Sequence, residues 1–314
     1  MRLSGMVNVS FVILTRNSSR TIGRVLSSLR AVREWLGDVV VVDGGSVDGT
    51  LEVVRGFSDV LPVKILSDNG RGLGYARDLG WRATDSPYVV MLDSDVVLDP
   101  RFVSEAVRLM EKDRGLGGVA AKLKPVVTEH GWLAAFQGYN LAIYLHLREP
   151  CYPREAVALH TGCTMFRRAA LEEVGGFDHF FRLAKEDSDI SFRLRKAGYR
   201  LSYIPIEVMH LERARFWSTN FRYGRSYVHI AEKHPDFSPL WTTKNVLLTA
   251  ALLLPPLQTL IYLHYLRRYM SLKHLSRGVG AVMAGVETLR QAVRTAGMLY
   301  ELFRKLVRSR EVSG

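Results

Sequence analysis

Four short apolar runs stand in the first third of the chain, each separated from the next by polar turn residues and a segment able to form a helix. They are Val9–Leu14, Val39–Val42, Val63–Leu66 and Tyr88–Leu92. The first and the last read as buried strands, and the two between them as further strands. Between the first two, Ile22, Val25, Leu26, Leu29 and Val32 recur at the spacing of one helix face. Strands alternating with helices predict an α/β domain whose mainly parallel sheet is covered on both faces. In such sheets ligands bind beyond the carboxyl ends of the strands. Polar residues follow three of the four runs at that edge: Thr15-Arg16-Asn17, Asp43 and Asp93-Ser94-Asp95.

The 314 residues, 47% of them hydrophobic, suffice for one large domain and an appendage. Two cysteines, Cys151 and Cys163, make neither a disulfide framework nor a zinc site, which fits a reducing compartment. The opening apolar run is too short for a secretory signal core, so the sheet domain is expected in the cytosol. The net charge of +12 is unevenly spread: from Leu201 onward there are 16 Lys/Arg against 7 Asp/Glu. That basic region also holds the longest apolar run. The combination favours a membrane surface over nucleic acid as partner.

Asp93 and Asp95 stand at i and i+2. If the extended backbone continues past Leu92, both point to one side, where two like charges are costly without a cation. A divalent metal such as Mn²⁺ or Mg²⁺, holding a diphosphate, is one such cation; a solvated strand end is the alternative. Asp43 opens Asp43-Gly44-Gly45-Ser46, which reads equally as turn chemistry or as a carboxylate facing a nucleobase or ribose. Gly70 to Gly80 opens a helix without forming the dinucleotide fingerprint; Arg71 and Arg77 either face phosphate, the reading favoured for one of them, or are solvated. Leu159–Phe166 reads as a strand pair or edge with polar atoms at its centre. Lys185-Glu186-Asp187-Ser188-Asp189 opens a helix with Ile190, Leu194 and Ala197 on its inner face, closed by Gly198. Its acids either favour the helix dipole or include a catalytic base. His210 follows the strand-like Leu201–Met209, where a structural histidine is the commoner case.

In this order the pieces resemble a family 2 glycosyltransferase of the GT-A fold. The matching stretches are Phe11 to Asn17, Asp43 to Thr50, Gly72 to Gly80, Asp93-Ser94-Asp95, Gly175 to Asp178 and Glu186 to Arg193. Gly44 replaces the family's second Asp, and Asp78 its Asn. The resemblance implies an inverting, metal-dependent transfer of a single sugar from a nucleotide-diphosphate sugar to a hydroxyl acceptor, either lipid-linked or a surface glycan. It implies Asp187 as general base backed by Glu186, a divalent metal (Mn²⁺ or Mg²⁺) on Asp95, Asp93 and His210, and a substrate-binding set of Thr15, Asn17, Asp43, Gly74, Arg77, Asp93, Thr161 and Gly162. The Gln-x-x-Arg-Trp of processive synthases is absent: the region reads Thr219 to Arg225. Two alternatives stand beside this reading, a non-catalytic nucleotide-sugar or glycan-binding protein and a sugar-nucleotide pyrophosphorylase.

The expected boundary divides a catalytic domain, 1–240, from a C-terminal helical region, 241–314. Val246–Leu266 is a 21-residue run without formal charge, interrupted by Pro255-Pro256. It could span, re-enter or lie on a membrane. In Gly278–Phe303, Glu287, Arg290 and Arg294 share one side and Val282, Val286, Leu289 and Val293 another, the pattern of a surface-lying helix. The whole is expected at the cytoplasmic face of the cell membrane.

Overall fold

The computed structural model describes residues 7–127, 154–212, 216–235, 253–271 and 276–312. The first strands and helices alternate as the sequence predicts: β1 (Val9–Thr15), α1 (Ile22–Leu29), β2 (Leu36–Asp43), α2 (Thr50–Arg55), β3 (Val63–Ser67), α3 (Leu73–Arg82) and β4 (Tyr88–Asp93). They lie in the order β3-β2-β1-β4, all parallel.

Beyond β4 the sheet becomes mixed. The elements are β5 (Val96–Val97), α4 (Arg101–Lys112), β6 (Leu116–Val127), β7 (Arg154–Glu155), β8 (Cys163–Arg167), α5 (Arg168–Glu173), α6 (Glu186–Lys196) and β9 (Arg200–Glu212). β8 runs antiparallel between β4 and β6, β9 pairs parallel with β6, and the short β5 and β7 pair antiparallel with β9.

Every residue of β1 is buried. Successive side chains of a strand point to opposite faces, so β1 feeds two cores. Phe11 and Ile13 pack with Ile22, Leu26 and Phe102 on one face; Val12 and Leu14 share the other with Trp81, Phe166, Ile190 and Leu194. The covering of both faces is thus as expected. Ala197, expected on the inner face of α6, is exposed. The helix ends at Lys196, and Gly198 at φ +91° turns the chain into β9.

Two compact units divide the chain: the first reaches Arg213 with short interruptions, and the second is mainly Ala214–Gly314, with Leu183–Lys185. The second unit holds α7 (Phe216–Lys233), α8 (Pro255–Met270) and α9 (Arg277–Val312). The prolines do not interrupt α8; they begin it, where a missing N–H costs nothing. Residues 246–252 of the apolar run lie outside the described residues. No described helix is long and apolar enough to cross a membrane.

The faces of α9 are reversed from expectation. Its expected polar side turns inward: Glu287 is buried, and Arg294 Nε donates to Asn220 Oδ1 of α7 at 3.0 Å. Val282 and Leu289 are exposed, although Val286 is buried. The cause lies in α7. A Cβ on Gly224 would overlap the Arg294 carbonyl oxygen, and one on Gly297 the carbonyl of Phe221. Backbones this close leave little room for large apolar side chains. Polar groups pair across the contact instead: Glu301, fully buried, accepts from Arg225 Nε at 2.7 Å and lies 3.2 Å from His229 Nε2.

Candidate active site

Pairing brings the polar ends of three strands to one edge. Thr15 lies opposite Asp43 in the β1–β2 pair, and Leu14 opposite Asp93 in the β1–β4 pair. Two loops beyond that edge are tied together. Asn17, at φ +51°, donates its N–H to Ser46 Oγ and accepts from Val47 N–H, both at 2.9 Å. Asn is among the few residues that tolerate this left-handed conformation. Asp43 Oδ2 accepts from the N–H groups of Gly45 and Ser46 at 3.0 Å, and Oδ1 from Ser46 Oγ at 2.5 Å. Asp43 therefore builds the loop as well as standing at the ligand edge.

The Asp93-Ser94-Asp95 stretch is a corner, not a continued strand. β4 ends at Asp93, and Ser94 and Asp95 form a turn into β5. Ser94 points inward, its Oγ 2.9 Å from Ser18 Oγ. The Asp95 carbonyl accepts from Leu211 N–H at 2.8 Å, and its carboxylate lies 3.5 Å from His210 Nε2. The β5–β9 register, Val96 opposite His210, sets this meeting. Asp93 N–H donates to the Gly162 carbonyl at 2.9 Å. A Cβ on Gly162 would stand 3.5 Å from both Asp93 Oδ2 and His160 Nδ1. Thr161 is buried beside it.

Arg77 is a buried hub. Its Nε donates to Glu186 Oε1 and its Nη2 to Asp93 Oδ1, each at 3.0 Å. Of the two arginines of which one was expected to face phosphate, Arg77 is thus engaged with two carboxylates, while Arg71 lies 3.6 Å over the Tyr75 ring. Burial pulls at its charge, but Asp93 and Glu186 outweigh that and raise its pKa. For Asp93, burial is outweighed by Arg77, with help from His210 and His160, so its carboxyl stays below the usual range. For Glu186, burial prevails: its pKa is raised despite Arg77, and neighbouring Asp187 pushes the same way.

The three acids opening α6 have separate fates. Glu186 is held by Arg77. Asp189 is buried on Arg193, with Nη2 at 2.6 Å and Nε at 2.9 Å. No arginine among the described residues pairs with Asp187. It is half-buried, and its Oδ1 accepts from Ser188 N–H at 2.6 Å. Ser191 Oγ donates to the Asp187 carbonyl at 2.6 Å and accepts from Leu159 N–H at 3.0 Å, fixing the 159–162 turn to the helix. His160 stands in that turn with Nε2 3.0 Å from the Ala121 carbonyl. Burial lowers its pKa, against the pull of Asp93 and Asp187. Sequence reasoning missed His160, Ser18 and Ser94 as members of this cluster; only the polar centre of Leu159–Phe166 pointed towards the first.

Residues 10–175 match glycosyl transferase family 2. The chain belongs to that family. A pre-mycofactocin glycosyltransferase of Mycobacterium tuberculosis is 30% identical over 239 residues, covering 73% of this chain and 48% of its own. A poly-beta-1,6-N-acetyl-D-glucosamine synthase of Staphylococcus aureus is 25% identical over 207 residues, covering 63% and 48%. The chain therefore spans about half the length of these curated relatives. The fold is shared with the mannosyltransferase PcManGT of Pyrobaculum calidifontis, solved with GDP-Man and Mn²⁺, at a TM-score of 0.64 and 21% identity over 96% of this chain and 89% of that one. It is also shared with S. aureus TarS in complex with UDP-GlcNAc, at 0.53 and 15% over 95% and 92%. These likenesses confirm the GT-A architecture.

Two family 2 motifs have a packing role here. Gly74, expected at the donor, lies against the backbone: its N–H donates to the Phe181 carbonyl at 2.9 Å, and a Cβ would overlap the Asp178 carbonyl. Asp78, where the family has Asn, accepts from Trp81 Nε1 at 2.8 Å and Phe177 N–H at 3.1 Å through Oδ1. Its Oδ2 meets Arg82 Nε and His179 Nε2, both at 2.9 Å. This acceptor-only carboxylate docks the Gly175–Asp178 turn on α3.

Among the described residues no three His, Cys, Asp or Glu side chains converge as a metal cage. Asp95 and His210 face each other, while Asp93 is turned to Arg77. That donor set still fits Mg²⁺ or Mn²⁺, which are commonly held by one or two carboxylates completed by substrate phosphates. Three buried polar atoms at this edge have no hydrogen-bond partner among the described residues: Thr15 Oγ1, Arg77 Nη1 and Glu186 Oε2. Such atoms in a native site are accounted for by a ligand or water.

Proposed function

We propose that this protein transfers one sugar from a nucleotide-diphosphate sugar to a hydroxyl acceptor with inversion. The carrying observation is that, among the described residues, Glu186 and Asp189 are each held by an arginine and Asp187 is not. In this reading the acceptor hydroxyl attacks the anomeric carbon as its bond to the diphosphate breaks. The hydroxyl proton passes to the Asp187 carboxylate. Arg77 keeps Glu186 and Asp93 in place around the reaction. Asp43, Thr15 and Asn17 hold the nucleoside end, and the 159–162 turn with His160 walls the sugar. A divalent ion on Asp95, Asp93 and His210 would neutralise charge on the leaving diphosphate. The curated relatives named as glycosyltransferases and the metal-containing structural neighbour support this reading. The acceptor class is proposed as glycan or lipid-linked.

For the helical unit we propose contact with a membrane surface at its cytoplasmic face. Leu254, Leu260, Leu263 and Met270 of the α8 region and Val282, Phe303 and Leu306 of α9 are exposed. Apolar side chains beside basic ones favour an anionic lipid surface.

The test is a panel of UDP-, GDP- and dTDP-sugars with Mn²⁺ or Mg²⁺, reading free nucleoside diphosphate and product anomeric configuration. Inverted product, lost in EDTA, is expected. Pyrophosphate release would favour a pyrophosphorylase, and binding without turnover a non-catalytic protein.

A further inference from the structure

The helical unit contains a groove of about 500 Å³ lined by α7, α8 and α9. Its walls are mostly apolar, including Tyr227, Leu257, Ile261 and Met298. None of the described residues lining it carries a carboxylate, whereas Arg294 and His264 do line it. Arg294 gives its Nε to Asn220, and no described residue accepts from its two Nη groups. His264 is exposed and meets only the Tyr265 ring among described ring contacts, at 5.2 Å. A groove of this volume suits a small ligand. Its chemistry suits one with a long apolar part and an anionic end.

Charge and continuity decide what occupies it. α8 and α9 together carry nine Lys/Arg and three Asp/Glu. The groove's own Leu260 is among the exposed apolar residues of α8, so its wall continues into that outer surface. A peptide would leave backbone polar groups against apolar walls unless they were paired. A lipid chain brings none. We infer that this groove binds the hydrocarbon chain of a membrane lipid phosphate, with Arg294 and His264 at its phosphate. The inference rests on the proposed membrane contact and deepens it, by giving the surface a site for a single lipid.

The test is calorimetric titration of the full chain with dodecyl phosphate below its micelle concentration, beside dodecyl maltoside and inorganic phosphate. One-to-one binding of dodecyl phosphate is expected, at least tenfold tighter than the maltoside, with no binding of inorganic phosphate. Ile261→Trp, or Leu257→Trp if the first does not fold, fills the groove and should weaken binding at least tenfold. Arg294→Gln with His264→Gln should remove the preference for phosphate while the chain still binds. Undiminished binding to a folded groove-filled variant, equal binding of inorganic phosphate, or no amphiphile binding at all would overturn the inference. Flotation with anionic vesicles reads the membrane contact separately. If the wild type floats but takes up no dodecyl phosphate, the surface reading survives and the groove reading does not.

Discussion

Arg77 Nε donates to Glu186 Oε1 at 3.0 Å, across 109 positions of sequence, with both side chains almost wholly buried. This bond joins the middle of α3 to the start of α6, and the same guanidinium reaches Asp93 at the end of β4. The catalytic edge is therefore braced by one cation between two carboxylates.

Breaking one partner of a buried pair leaves an uncompensated charge, at a cost of about 3–5 kcal/mol. Arg77→Met should lower stability to urea by that order. Arg77→Met with Glu186→Met removes both charges of the Arg77–Glu186 pair and should recover a large part of the loss, because neighbours in one network are not additive. A double variant as unstable as the sum of the singles would deny the coupling.

Asp187→Asn preserves shape and removes the proton acceptor. General-base help is worth about 10²–10⁴-fold, so sugar transfer should fall by that order with nucleotide affinity near wild type. Glu186→Gln and Asp189→Asn should act differently: both side chains are buried on arginines, so their first effect is on stability. Single-turnover rates per folded molecule, beside unfolding curves, separate the cases. A wild-type rate for Asp187→Asn would move the base elsewhere.

The parallel half of the sheet was legible because its strands are short apolar runs separated by turn residues, and α1 has a regular period. Asp43 and Asp93 were placed at one edge by topology alone. The roles of Arg77 and Gly74 were not legible, since both depend on partners more than a hundred residues away, Glu186 for the first and the 178–181 backbone for the second. The turn at Ser94-Asp95 was hidden for a related reason: the pairing of β5 with β9, not local sequence, ends the extended run. On α9 the hydrophobic pattern misled. Periodicity identifies an apolar face, but close backbone approach at Gly224 and Gly297 decides which face packs.

Gly74→Ala tests whether that glycine serves packing. The added Cβ would overlap the Asp178 carbonyl, and backbone cannot yield as a flexible side-chain end can. Overpacking of this kind costs about 1–3 kcal/mol. The variant should melt earlier. A donor-binding loss with unchanged stability would instead make Gly74 a substrate-approach residue.

Glu301 gives the helical unit a pH dependence. It is buried, and burial alone would raise its pKa; bonds from Arg225, Arg304 and His229 prevail and hold it at about 2, against an ordinary 4.5. A carboxyl depressed by folding contributes stability that is full above its unfolded pKa and is lost as pH falls through its folded one. The window is therefore from about 4.5 down to about 2. The shift corresponds to about 3 kcal/mol at neutral pH, at 1.36 kcal/mol per unit. Glu301→Gln removes the carboxylate and leaves Arg225 and Arg304 without it. Denaturation of α7–α9, followed by helix circular dichroism in the full chain, should show the variant less stable at pH 7. The gap to wild type should narrow steadily below pH 4.5, as the wild-type carboxyl takes up its proton. A gap that stays constant between pH 7 and pH 3 would show that Arg225, Arg304 and His229 contribute nothing through its charge.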